Sequence, residues 1–122
     1  MITNTFLQRV AGLINGESVA VPSYGAFSSS VLTADATRTS LPDELDATRL
    51  TITGTRSGAT TTFSFLRSGT AASSSGDYIN TMALIDSATG GYVLSDLLVP
   101  SLLHTTSFDV EVDWKIQVLR RG

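Results

Sequence analysis

The chain has 122 residues, 42% of them hydrophobic and 16% charged, with a formal net charge of −3 and no cysteine. The missing cysteines exclude disulfides, thiolate metal sites and cysteine nucleophiles, and the negative balance argues against a nucleic-acid-binding surface. Seventeen threonines and sixteen serines, together with the low charge, lean toward β structure and away from helical bundles.

At 12.9 kDa, the folded chain is expected to expose about 6,300 Å², which leaves one ordinary core. The longest apolar run is four residues, too short to span a bilayer. No basic stretch precedes an apolar one at the N-terminus, so no signal peptide is expected.

Residues 2–14 read as a helix, because Ile2, Phe6, Val10 and Leu13/Ile14 recur at three- and four-residue steps. Thr3, Asn4 or Thr5 is its expected N-cap, and Asn15-Gly16 its stop. About three turns are marginal alone, so the apolar face must either cover its own domain or dock on a neighbouring subunit. Val19 to Pro22 reads as extended, Tyr24 to Leu32 as a weakly patterned strand, and Thr33 to Ala47 as a long acidic loop or helical turn.

From Arg49 the pattern sharpens. Leu50 to Thr53 and Thr60 to Arg67 alternate around the turn Arg56–Ala59, a hairpin signature with Phe63 and Phe65 on one face. Ser68 to Asp77 is a Ser/Gly/Ala stretch without periodicity and is expected to be mobile. Ile79 to Ile85, the turn Asp86–Gly91 and Tyr92 to Val99 form a second expected hairpin, ended by Pro100. Last, Phe108, Val110, Val112, Trp114, Ile116 and Val118 alternate with Asp109, Glu111, Asp113, Lys115 and Gln117. That gives one dry and one wet face on a strand about 37 Å long.

The sum is an all-β antiparallel sandwich of about six or seven strands with one N-terminal α-helix. One domain is expected over residues 1–122, with the helix at about 3–15 and strands from about 19 to 120. Its expected core contains Phe63, Phe65, Met82, Leu84 and the dry face of the last strand.

Chemistry is sparse. His104, the only histidine, has no nucleophile elbow to serve and reads as a loop residue without a special role. Asp109, Glu111 and Asp113 stand nearly 7 Å apart along the strand, so a calcium site would need further oxygens. They read as a solvated acidic face or one that meets a basic partner. Asp35, Asp43, Glu44 and Asp46 lack the spacing of a calcium loop and read as a polar surface loop. Gly90-Gly91 reads as a turn rather than a phosphate cradle, and Lys115, Arg120 and Arg121 as cations suited to an acidic neighbour. No catalytic, cofactor-binding or metal-binding residue is therefore assigned, and no cofactor.

The segment Ile79-Asn80-Thr81-Met82-Ala83-Leu84-Ile85-Asp86-Ser87-Ala88-Thr89-Gly90-Gly91-Tyr92-Val93-Leu94 resembles a pattern in small structural proteins of tailed bacteriophages and related archaeal viruses. There a strand leads into an Ala-x-x-Gly-Gly turn. A Thr-x-Ser turn then precedes a long alternating strand, as do His104-Thr105-Thr106-Ser107 and Phe108 to Val118 here. The opening Thr3 to Leu7, Ser18 to Pro22, Leu32 to Thr37 and Leu41 to Leu45 look like the N-terminal half of the same family. In place of that family's Glu-x-Gly stands Thr81-Met82-Ala83, and its Gly-Thr-Gly-Thr run is missing.

The resemblance implies a non-enzymatic virion protein of the tail apparatus (baseplate, tail tip or fibre attachment) that assembles with itself and with neighbouring virion proteins. A capsid-decoration or head–tail neck protein is the alternative placement, and a carbohydrate- or host-surface-binding module the rival class. No nucleic-acid, membrane or small-molecule partner is expected. Tyr78 and Tyr92, exposed side by side, would favour the sugar-binding reading.

Overall fold

A computed structural model describes residues 1–120. Helix α1 (Asn4–Ile14) is followed by β1 (Tyr24–Ser28), β2 (Leu50–Thr51), β3 (Thr53–Ser57), β4 (Thr60–Arg67), β5 (Asp77–Ile85), β6 (Val93–His104) and β7 (Val110–Gln117). All pairing is antiparallel. One sheet has the order β2-β1-β5-β6 and the other β3-β4-β7, which makes the expected seven-stranded sandwich with an N-terminal helix.

Between the sheets Phe27, Phe65, Ile79, Leu84 and Val112 are buried, and Phe63, Met82, Val110, Trp114 and Ile116 pack against them half-buried. The alternation of β7 is as read, with Glu111, Asp113, Lys115 and Gln117 exposed. The strand is shorter than expected, since Phe108 and Val118 lie outside it and are exposed. Phe65 fits tightly because it lies over Gly25, where a Cβ would come within 2.5 Å of its ring.

A second apolar cluster (Ala26, Leu41, Ala83, Ile85, Val93) lies on the opposite side of the β1-β5-β6 sheet, with Leu32 packed against it. The long loop between β1 and β2 supplies Leu32 and Leu41, and so acts as a third layer. Backbone bonds fasten it: the Leu45 amide donates to Phe27 O and the Val93 amide to Thr39 O.

Several elements depart from the sequence reading. Residues 19–22 form no strand, and β1 stops at Ser28. The run from Leu50 divides at Ile52 and contributes β2 to one sheet and β3 to the other. Pro100 does not end β6. The register slips between Ile79 and Thr81, whose partners are Leu102 and Leu98, so Pro100 falls in a bulge of an edge strand, where a missing N–H costs no ladder bond.

Helix α1 is capped by Thr3, whose Oγ1 accepts from the Phe6 amide, and it stops at Asn15 before the left-handed Gly16. Its seat is the β6 edge: the Thr3 amide donates to Leu94 O, and Thr3 Oγ1 donates to Val93 O at 2.8 Å. The apolar face covers little. Leu7, Val10, Leu13 and Ile14 are exposed, and only Gly12 of the helix is buried.

Candidate functional site

The densest polar cluster surrounds Arg67, the last residue of β4. Strand periodicity puts Phe63, Phe65 and Arg67 on the same face, so the guanidinium points between the sheets and is 1% exposed. A buried cation needs partners. Nε donates to Asp46 Oδ2 at 2.9 Å, and Nη2 to Asp46 Oδ1 and Asp77 Oδ2, both at 2.9 Å. Nη2 also reaches Ala71 O at 3.2 Å, and Nη1 meets His104 Nδ1 at 2.7 Å. Guanidinium only donates, so Nδ1 of His104 accepts and its Nε2–H donates to Phe108 O at 2.7 Å.

His104 is thus not a loop residue. It closes β6, is fully buried, and ties Arg67 to the β6–β7 connection. The hydrogen bond to Asp46 raises Arg67 above the ordinary guanidinium value and outweighs desolvation. Arg67 in turn, helped by the Ser73 amide, holds the Asp77 carboxyl below its usual value. The cation that Asp46, Asp77 and His104 share is a guanidinium. The cluster is a clamp in which each buried side-chain polar atom has a partner, and it joins the 33–47 loop, β4, β5 and the end of β6.

Ser68 to Asp77, expected to be mobile, belongs to this clamp, with Asp77 already the first residue of β5. A single 3-10 turn (Gly69–Ala71) presents Ala71 O to Arg67, while Gly69 and Ala72 are buried. A Cβ on Gly69 would come within 2.8 Å of Phe108 O and 2.9 Å of Thr106 O, so this turn is packed on the β6–β7 connection.

The other acidic residues have local tasks. Asp35 accepts from the Thr37 amide and hydroxyl, which lower its pKa. Ser30 donates to Asp43, and Arg49 holds Glu44 with bonds of 2.7 and 3.1 Å. Arg49 also donates to Ser87 O and Gly90 O, which pins the loop to the β5–β6 turn. In that turn Gly90 and Gly91 both have positive φ, as a turn reading requires.

Asp109 accepts from the Gly69 amide at 2.7 Å, and Asp113 from Ser64 Oγ at 2.7 Å. The acidic row on the last strand is therefore split between a loop tie and an open sheet face. Among the described residues Glu111, Asp113 and Lys115 form no ion pair. Arg120 lies beyond β7, and Arg121 falls outside the described residues.

The larger openings lie at surfaces, one with an apolar lining and one of mixed character. A groove of about 380 Å³ separates the α1 face (Phe6, Val10, Leu13) from Phe63 and Ile116. A second, of about 450 Å³, runs between Met1, Ile2 and Leu97 on one side and Val112–Gln117 on the other. Sequence reasoning passed over Arg67, although its parity with Phe63 and Phe65 marks it as inward-facing. A scan against protein-family models finds no match for this chain, and neither the curated proteins nor the solved structures contain a match.

Proposed function

We propose that this protein is a non-enzymatic structural subunit of a virus particle, built in multiple copies into the tail apparatus. The observation that carries the assembly reading is surface. The chain exposes 7261 Å², about 950 Å² more than a monomer of its mass is expected to show. A standard interface removes about 800 Å² from each partner. Much of the open surface is large and apolar: Leu7, Leu13 and Ile14 on α1, Leu97, Leu98, Leu102 and Leu103 on β6, and Val118 and Leu119 after β7. Placement in a tail rests on the resemblance of residues 79–118 to tail-type virion proteins.

The sugar-binding alternative asked for two adjacent exposed tyrosines. Tyr78 and Tyr92 are both exposed, but Tyr78 pairs with Leu103 at one end of the β5–β6 hairpin and Tyr92 lies at its turn. About seven residues of strand, roughly 24 Å, separate them, and Arg9 rather than a second ring covers Tyr92, its guanidinium carbon 5.8 Å from the ring centroid.

The test is composition and position in purified particles. Quantitative mass spectrometry is expected to find the chain at a fixed multiple-copy stoichiometry, and antibody labelling to place it at the tail. Particles that lack the chain would overturn the reading.

A further inference from the structure

Strand β7 is an edge strand, hydrogen-bonded to β4 on one side only, over the full run Thr60↔Gln117 to Arg67↔Val110. Such an edge is a template for another strand. We propose that a second copy of this chain pairs antiparallel with it, β7 against β7, about a two-fold axis at Trp114. This deepens the assembly reading by naming a partner surface, and rests on it only for the premise that copies meet.

The register follows from the sequence of the strand. In an antiparallel pair about a two-fold axis, residues equidistant from the axis face each other on the same side of the sheet. With the axis at Trp114, Asp113 faces Lys115 of the other copy and Lys115 faces its Asp113, which gives two reciprocal ion pairs. Val112 faces Ile116, Glu111 faces Gln117, and the two Trp114 residues meet at the centre. Directly opposed residues lie about 5 Å apart, close enough for opposite charges to attract and like charges to repel.

Every neighbouring register is worse. An axis at Asp113 also gives two opposite-charge pairs, Glu111 with Lys115, but sets the two Asp113 carboxylates against each other; one at Lys115 opposes two lysines, and one at Val112 sets Glu111 against Asp113 twice. An axis between residues sets wet side chains against dry ones. The three charged side chains in question are exposed and without an ion pair among the described residues.

Space is available as well. Consecutive residues 112–117, from both faces of β7, line the 450 Å³ groove, so the opening follows this edge and leaves Trp114 and Ile116 only half-buried. Pairing would join the two β3-β4-β7 sheets into one of six strands and continue their dry faces. The other long edge is less suited: Met1–Thr3 already bond to the start of β6, and Pro100 interrupts the rest.

Sedimentation of the full chain and its charge-reversed variants tests the pairing. The unaltered chain is expected to dimerise. Asp113→Lys and Lys115→Asp, each confirmed as folded by circular dichroism, should each weaken dimerisation by about tenfold or more. An equimolar mixture of the two should restore it as a heterodimer, because each lysine then faces an aspartate. In the unaltered chain, the β7 amides directed away from β4 should exchange more slowly as concentration rises.

Dimerisation that survives both reversals, or folded variants that fail to pair when mixed, would overturn the proposal and point to another face. A chain that stays monomeric would overturn it too, and would make the β7 charges guards against edge-to-edge association. In each case the particle-composition test decides the assembly reading separately.

Discussion

Arg67 Nη1 donates to His104 Nδ1 at 2.7 Å in a site where both side chains are at most 1% exposed. The contact joins the last residue of β4 to the last residue of β6, one from each sheet. Replacing Arg67 by Met keeps the volume but leaves Asp46 and Asp77 without their cation. Loss of one partner from a buried ion cluster costs about 3–5 kcal/mol, and the one-fifth exposure of the two carboxylates puts this case near the lower bound. Chemical denaturation of Arg67→Met is expected to show a loss of about 3 kcal/mol. A change under about 0.5 kcal/mol, typical of surface substitutions, would mean that the clamp is not formed.

His104→Phe tests the other side of the contact. The ring volume is retained, but Arg67 Nη1 loses its acceptor and Phe108 O its donor. A buried donor left unsatisfied costs about 1–3 kcal/mol, and that is the destabilisation expected in urea titrations.

Acid sensitivity should follow Asp77. Its folded pKa lies below the unfolded value because Arg67 and the Ser73 amide favour the carboxylate. The stabilisation is therefore fully present above about pH 4, and is lost as pH falls through the folded value. Melting temperatures measured across that range should drop less steeply for Asp77→Asn than for the unaltered chain. Equal slopes would refute the assignment.

Gly25 and Phe65 make a steric pair across the sheets. Gly25→Ala places a methyl about 2.5 Å from the buried Phe65 ring, so the ring or strand β1 must shift. Overpacking of this kind costs about 1–3 kcal/mol. A smaller residue, as in Phe65→Leu, should make the Gly25→Ala change nearly neutral in a double-mutant cycle. Additive losses would show that the two positions do not touch.

Much of this architecture was written in strand periodicity. The period-2 run Val110–Gln117 named its inward residues correctly, and the β5–β6 hairpin followed from its glycine-containing turn. Of the first hairpin the second strand was placed correctly, but its partner is Thr53–Ser57 rather than Leu50–Thr53, and Arg56 and Ser57 are strand rather than turn. What stayed hidden depends on distant partners. Pro100 reads as a stop, yet β6 continues because its interruption falls on an edge bulge. Ser68–Gly76 looks like a free loop because nothing local shows that Arg67 needs the carbonyl of Ala71. The face of α1 is apolar at helical spacing, which indicates that it must be covered but not by what. Arg67 is the one omission that the sequence itself could have prevented, since it stands two residues beyond Phe65 on an inward-facing series.

The order of the strands also sets how the chain must find its shape. The pairs β1–β2, β3–β4 and β5–β6 join neighbours along the chain, the first across the long 29–49 loop, whereas β1 also waits for β5 and β4 for β7. Closing such long loops before their contacts form is slow, and refolding on the millisecond-to-second scale of sandwich topologies follows. Until β7 docks, the edge of β4 that faces it presents unpaired amides and carbonyls from Thr60 to Arg67, so an unfinished fold is open to strand capture along that edge.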